Sequence, residues 1–231
     1  MIFSIPIGRI GMLLFAAIAT MAASEGTHAA APVPPPAVRA ARANFLGEAP
    51  SPEARRVADW AMASGDSGGL PFVIVDKIRA RLFVFDATGR LVGASMALLG
   101  FARGDDTTPG IGTQKLATIR PEERTTPAGR FVATLGRDLQ QDILWVDYDN
   151  AISLHRVVTG NPGDHRRQRL LGISPLNKRI SYGCINVPPE FFDGVVLKVF
   201  TGTSGIVYIL PEQHKLEDVF PLRAAGEGAK R

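Results

Sequence analysis

The residue with the clearest chemical potential is Cys184, the one cysteine of the chain, in the run Ser181-Tyr-Gly-Cys-Ile-Asn186. A thiol of ordinary pKa, roughly 8.5, is only slightly ionised at neutral pH, so a nucleophilic cysteine needs an imidazole or a positive charge nearby. The glycine before the cysteine permits a tight turn that would direct the thiol and successive amide N–H groups to one point. The run is therefore a candidate nucleophile and oxyanion-binding loop.

Two histidines are candidates to exchange a proton with that thiol. His155 ends the strand-like run 151–155, in which alternation would place Ser153 and His155 on the same face. His165 is closer to Cys184 along the chain, but it lies in the Pro/Gly-led, arginine-rich segment NPGDHRRQRL. Residue types alone leave both histidines open.

The elements that would position these residues are mostly short strands. After Pro71 the sequence consists of β-branched and aromatic runs separated by turn residues. We predict strands at 72–76, 81–86, 90–100, 130–135, 143–148, 151–155, 195–200 and 206–210. Helical structure is predicted only after the N-cap Ser51, with Pro52 in the first turn, and at 189–194. The predicted fold class is mainly β, a sandwich or open barrel with a few short helices.

Composition divides the chain into segments around this β domain. The apolar run Ile10 to Ala23 follows Arg9 and is shorter than the roughly 20 residues needed to cross a bilayer, so we predict a signal peptide at 1–29. An uncleaved anchor is the alternative. A Pro/Ala-rich tether at 30–50, a helix and linker at 51–70 and the main domain at 71–211 would follow. A polar tail would occupy 212–231, with the folded core ending near Pro221. We expect no stable membrane span after processing.

The overall balance of residues limits the function classes. The 231 residues are 45% hydrophobic and 21% charged, which fits one globular domain with appendages and excludes a disordered or collagen-like chain. The net charge of +4 suits an anionic partner such as a cell-wall polymer or a lipid surface. The sequence has no nucleic-acid-binding motif, so we expect no nucleic-acid partner. A lone cysteine excludes an intramolecular disulfide.

Metal and cofactor chemistry find little support in the residue pattern. Asp164, His165, His155 and Cys184 have the right types for a metal site, but no HExxH or paired-cysteine spacing accompanies them. Gly110 and Gly112 only superficially resemble a phosphate-binding loop. We therefore predict an activity that needs neither a metal nor a cofactor.

Three motifs together resemble the catalytic domain of L,D-transpeptidases of the YkuD type: TPAGRF at 126–131, LH at 154–155 and SYGCIN at 181–186. The resemblance runs from about 71 to 210. It implies Cys184 as nucleophile and His155 as its proton partner, since the family histidine ends a strand. This sequence departs from the family in having Tyr182 where members often have histidine, and in a longer stretch between His155 and Cys184.

The resemblance implies acyl transfer on peptidoglycan stem tetrapeptides. The Cys184 thiolate would attack the amide after the third, diamino-acid residue and expel the terminal D-alanine. Backbone N–H groups of Tyr182, Gly183 and Cys184 would bind the oxyanion, and Ser181 would brace the histidine or the loop. Asn186 would hold the loop or contact substrate.

The basic segment 156–179 offers guanidinium groups to the stem carboxylates. Arg156 and Arg179 are our candidates for this binding, because a guanidinium can pair with a carboxylate through two hydrogen bonds. A solvated basic loop without a binding role is the alternative.

The acyl acceptor stays open at the level of the sequence. An amine of a second stem would give a cross-link between third residues, an amine of an outer-membrane protein would give an anchor, and water would make the protein a carboxypeptidase or endopeptidase. A non-catalytic wall-binding module is the further alternative. The implied substrate places the protein in the periplasm or cell envelope.

Overall fold

Short strands form most of the fold in the computed structural model, which describes residues 41–138 and 140–222. The predicted signal peptide and residues 30–40 of the predicted tether lie outside these ranges. The strands are β1 (Phe72–Asp76), β2 (Arg81–Phe85), β3 (Leu91–Met96), β4 (Leu99–Gly100), β5 (Gly129–Asp138), β6 (Gln141–Asp147), β7 (Ile152–Arg156), β8 (Arg179–Ser181), β9 (Ile185–Val187) and β10 (Ser204–Ile209). The α-helices are α1 (Pro52–Ser64), α2 (Arg166–Leu171), α3 (Pro189–Phe191), α4 (Leu197–Phe200) and α5 (Leu216–Val219).

The main sheet curls until its two edges nearly meet. Its order is β3-β2-β1-β10-β5-β6-β7-β9, with parallel pairs at β1/β10 and β7/β9, and β4 pairs separately with β8. Just beyond β3, Leu98 exchanges two backbone hydrogen bonds of 2.8 and 2.9 Å with Asn186 in β9. The described residues therefore form a mainly β, nearly closed barrel-like sheet with a few short helices. This confirms the predicted fold class.

The central strands bury both of their faces. Val73 and Val207 belong to one core cluster, and Ile74 and Tyr208 to a second cluster under α1. Because both faces are covered, these strands are uninterrupted apolar runs. Helix α1 begins as predicted, with the Ser51 hydroxyl accepting from the Ala54 amide at 3.1 Å and Pro52 in the first turn.

The predicted strand at 195–200 is wrong. A continuous helical stretch runs from α3 through a π-helical turn at Phe192–Val196 into α4. Phe192, Val196 and Phe200 recur every four residues, and all three are buried in the first core cluster. The β-branched valines favour strands locally, but the fit of one apolar face to the core determines the conformation.

The folded domain extends past both ends of the predicted 71–211 segment. Before α1, the side chains of Ala43 and Phe45 are buried in the second core cluster. After β10, Leu216 and Phe220 are buried in the same cluster. Two residues of the predicted tail are thus part of the core, which ends close to Pro221 as predicted. No helix within 41–138 or 140–222 has the length and apolar character needed to cross a membrane.

Candidate active site

The site forms where β7 and β9 run side by side. The two strands pair in parallel with His155 opposite Asn186, and Cys184 directly precedes β9. Ile152 and Leu154 face the buried core, so the alternate residues of β7 lie on the other face of the strand. The structure therefore brings His155 beside the thiol.

Three groups surround the Cys184 sulfur. The Ser153 hydroxyl donates to Sγ at 3.5 Å, the thiol donates to the Ala151 carbonyl at 3.5 Å, and His155 lies close enough to shift the pKa of the thiol. Burial raises the pKa of Cys184, but hydrogen bonding and charge from His155, together with the hydroxyl and amide of Ser153, lower it below its ordinary value. The strand pattern places Ser153 on the face of His155 but by itself indicates no role for the hydroxyl.

Both ring nitrogens of His155 have a hydrogen-bonding neighbour. Its Nδ1 lies 2.7 Å from the Arg156 carbonyl, which can only accept, so Nδ1 carries a proton. Its Nε2 lies 3.1 Å from the amide nitrogen of Asn186 and is the atom left to take the proton of Cys184. Burial lowers the pKa of His155, but the hydrogen bond and charge of Cys184 outweigh burial and raise it. The opposite shifts of the two pKa values favour a thiolate–imidazolium pair.

The loop that carries the thiol requires glycine at position 183. Gly183 has φ of +135°, and a Cβ there would lie 2.7 Å from both the Thr125 carbonyl and the Ile152 Cδ1 atom. The Thr126 hydroxyl donates to the Gly183 carbonyl at 2.7 Å and accepts from the Gly100 amide at 2.8 Å. Thr126, the first residue of the TPAGRF motif, therefore supports the loop from behind.

Ser181 braces the loop from within, and this changes the expected set of oxyanion donors. Its hydroxyl donates to the Cys184 carbonyl at 2.6 Å and accepts from the Gly183 amide at 3.1 Å. The Gly183 amide is thus used inside the loop. Among the described residues no acceptor engages the amides of Tyr182 and Cys184, which leaves these two of the three expected donors. The Tyr182 ring stacks on the Arg124 guanidinium at 4.0 Å.

The two arginines expected to bind stem carboxylates already have protein partners. Arg156 donates from Nε to Asp193 at 2.8 Å. Arg179 donates to Glu212 at 2.7 Å and to the Lys77 carbonyl at 3.0 Å, and its side chain is only 10% exposed. These contacts give both residues a structural role, and we no longer assign them to substrate.

A different arginine, which sequence analysis did not single out, reaches the site. Arg166 begins α2 and donates from Nη1 to the Asn186 side-chain oxygen at 3.1 Å. Its Nε donates to Asp164 at 2.8 Å. The long stretch between His155 and Cys184 therefore contributes directly to the surroundings of the catalytic candidates.

The alternative base, His165, lies apart from this group. It is exposed, with φ of +48°, and borders a shallow hollow with Gln168 and Asn177. Within the part of the chain that the structure describes, no group of three or more His, Cys, Asp or Glu side chains is arranged to hold a metal ion. Fold and site together define a barrel-like β protein with a cysteine–histidine pair at the edge of its sheet.

Several solved structures, including the following two, are distantly similar to this chain. The helical cell shape determining protein Pgp2 of Campylobacter jejuni aligns with a TM-score of 0.41 and 12% identity, over 63% of this chain and 49% of that one. A mutant L,D-transpeptidase of Enterococcus faecium aligns with a TM-score of 0.35 and 16% identity, over 61% of this chain and 49% of that one. The chain thus spans about half the length of each. No protein-family model and no curated protein sequence matches it.

Proposed function

We propose that this chain is a cysteine acyltransferase of the L,D-transpeptidase type. One observation carries the proposal: strand pairing sets His155 opposite Asn186, two residues after Cys184, and the imidazole and the thiol shift each other's pKa toward imidazolium and thiolate. Such a pair is the requirement for nucleophilic attack by sulfur at neutral pH. The three motifs that resemble the family add the donor, a peptidoglycan stem tetrapeptide.

In the first half-reaction the Cys184 sulfur attacks the carbonyl carbon between the diamino acid and the terminal D-alanine. A C–S bond forms, and the tetrahedral oxyanion accepts hydrogen bonds from the free amides of Tyr182 and Cys184. The C–N bond then breaks as His155 Nε2–H transfers its proton to the departing amine of D-alanine. The products are free D-alanine and a thioester on Cys184.

In the second half-reaction an acceptor amine attacks the thioester carbon, and neutral His155 takes a proton from that amine. The C–S bond breaks and returns the thiolate, so that the enzyme again holds a thiolate and an imidazolium. A stem amine gives a cross-link between third residues, and an amine of an outer-membrane protein gives an anchor. Water in place of the amine gives a tripeptide, the product of the hydrolase alternative.

Export to the periplasm belongs to the same proposal, because peptidoglycan lies outside the cytoplasmic membrane. The predicted signal peptide at 1–29 and the net charge of +4, which suits an anionic wall polymer, support it. The proposed reaction uses no metal or cofactor, since the thiolate is the nucleophile and the imidazole moves each proton.

Mass spectrometry of the purified protein with tetrapeptide muropeptides tests the proposal. We expect a tripeptide-stem acyl adduct on the wild type, free D-alanine, and dimers that have lost one D-alanine. Cys184→Ser should form no thioester, and His155→Ala should lower the acylation rate by roughly 10²- to 10⁴-fold. His165→Ala is the matched control, and it should acylate at the wild-type rate.

The product masses decide among the alternatives. A tripeptide without dimers would assign the hydrolase reaction, and an adduct that passes to an outer-membrane protein would assign anchoring. No adduct, together with wall binding that Cys184→Ser retains, would contradict the proposal and favour the non-catalytic binding module.

A further inference from the structure

Arg166 determines which way the Asn186 side chain points. The guanidinium Nη1 lies 3.1 Å from Asn186 Oδ1. A guanidinium can only donate, so this contact identifies the accepting atom as the amide oxygen. The amide nitrogen must then face His155, where it lies 3.1 Å from Nε2.

This orientation blocks the nitrogen that the proposed reaction needs. In the neutral ring Nδ1–H donates to the Arg156 carbonyl, so Nε2 accepts from the Asn186 amide. When Nε2 takes the proton of Cys184, two N–H groups face each other and the Asn186 hydrogen bond is lost. The Asn186 contact therefore favours neutral imidazole, whereas the thiol favours imidazolium.

The charges around His155 also affect the balance between its neutral and protonated forms. Arg166 lowers the pKa of His155 through its positive charge, and Cys184 raises it. From the segment before α2, Asp164 pairs with Arg166 at 2.8 Å and so reduces that charge. On the strand of His155 itself, the Arg156 side chain pairs with an acid, Asp193.

We propose that Arg166 is a positioning residue that acts through Asn186 to oppose protonation of His155 at Nε2, and so sets the pH at which the Cys184 thiolate forms. Its catalytic meaning rests on the proposed function, but the proton balance itself can be measured without substrate. The long stretch before the catalytic loop would then control the reactivity of the thiol without touching it.

Alkylation of the protein by iodoacetamide across a range of pH tests the proposal, because Cys184 is the one thiol that can react. Arg166→Met removes the donor and frees Asn186 to turn its oxygen toward Nε2–H. We expect the midpoint of the rate profile to move to lower pH by about 0.5 to 1 unit, roughly 3- to 10-fold faster alkylation below the wild-type midpoint.

Asn186→Leu separates positioning from a simple charge effect, because it keeps the Arg166 charge and removes the amide donor to Nε2. Loss of the Arg166 charge alone would also raise the pKa of His155 and lower the midpoint, so an unchanged midpoint in Asn186→Leu would assign the effect to charge. Arg166→Lys keeps a donor and a charge and should restore the wild-type profile. Arg167→Met removes a neighbouring exposed charge and should leave the midpoint unchanged.

Nitrogen NMR of the histidine rings gives a second reading. We expect the neutral form of His155 in the wild type to be protonated on Nδ1 with Nε2 accepting, and Arg166→Met to increase the imidazolium fraction at a given pH. Asn186→Leu should shift the alkylation midpoint in the same direction as Arg166→Met, which keeps the test valid if one variant fails to fold.

Three outcomes overturn the inference: an unchanged or raised midpoint in folded Arg166→Met, an unchanged midpoint in folded Asn186→Leu, or a neutral wild-type His155 that is protonated on Nε2 alone. Failure of the proposed function is distinct from both. A lowered midpoint without any muropeptide adduct would refute the transpeptidase but retain the role of Arg166. Muropeptide adducts with an unshifted midpoint would support the transpeptidase but refute the role of Arg166.

Discussion

Two lysines, Lys77 and Lys178, are fully buried, and their ammonium groups are held in different ways. Lys77 belongs to the scaffold that supports the catalytic loop, and Lys178 to the segment 161–178 that precedes this loop in the sequence. Lys77 directly follows β1, and its Nζ donates to Asp105 at 2.7 Å and to the carbonyls of Gly104 and Thr126 at 2.6 and 2.9 Å. Asp105 also accepts from three backbone amides at 212–214. Since Thr126 supports Gly183, this ion pair belongs to the scaffold of the catalytic loop.

Lys178 has no carboxylate partner among the described residues. Its Nζ donates to the carbonyls of Arg169, Leu170 and Gly172, at and just beyond the last turn of α2. These carbonyls lack partners within the helix, so the lysine acts as a C-terminal cap. Burial lowers the pKa of Lys178, and no carboxylate offsets the cost of burying its charge.

The comparison indicates how stability is distributed around the thiol. The buried pair of Lys77 and Asp105 joins parts of the chain that are far apart in sequence. The short helix α2, which positions Arg166, depends on hydrogen bonds from Lys178 to carbonyls of its own segment, 161–178. Segments with few buried apolar contacts open at lower free energy than the core. We expect the segment 161–178 to open more readily than the scaffold around Lys77.

The largest expected effect is that of Lys77→Met. Removing one partner of a buried ion pair leaves Asp105 charged and uncompensated, at a cost of about 3–5 kcal/mol in the free energy of unfolding. Urea unfolding followed by circular dichroism measures the change. The control is Lys198→Met, which removes an exposed lysine and should stay within about 0.5 kcal/mol of the wild type. A loss below about 1 kcal/mol for Lys77→Met would contradict this account of the scaffold.

The second-largest expected effect is the loss of stability from the Lys77–Asp105 pair at acid pH. Burial raises the pKa of Asp105, but Lys77 and the amides at 212–214 outweigh burial and lower it to about 2. In the unfolded chain the Asp105 carboxylate has a pKa of roughly 4, so it takes up a proton at higher pH than in the folded protein. Stability from this pair is therefore present above about pH 4 and is lost as pH falls toward 2, by about 2–3 kcal/mol.

Urea unfolding at a series of pH values between 2 and 6 measures this acid effect. The double variant Lys77→Met with Asp105→Asn lacks the charge pair and should lose less stability over that range. Equal acid slopes for the double variant and the wild type would assign the effect to other carboxylates.

The smallest of these effects on global stability should follow from Lys178→Met. Three carbonyls near solvent lose one donor, which we expect to cost about 1–2 kcal/mol. Hydrogen exchange should show faster opening of α2, with the amides of β1 and β10 protected as in the wild type. Because α2 carries Arg166, the alkylation midpoint of Cys184 should shift as it does in Arg166→Met. Protection lost equally in β1 and α2 would remove the proposed distinction.

Local patterns predicted much of the fold. Alternation along 151–155 correctly separates Ser153 and His155 from Ile152 and Leu154, which lie in the core, because side chains of a strand point to opposite faces whatever the tertiary context. The same kind of reasoning failed at 195–200, where valines that favour strands lie on a helix. There, fit to the core outweighs local preference, and a single sequence does not reveal which surface a segment will cover.

The reactive groups can be identified from the residues alone: one thiol, a histidine at the end of a strand, and a glycine that permits the turn before the thiol. Which of these groups meet depends on the tertiary fold. It turned Arg156 and Arg179 to acidic partners and brought Arg166 to Asn186. The reason is physical, because hydrogen bonds and ion pairs require contact within a few ångströms, and chain folding creates such contacts between residues far apart in sequence.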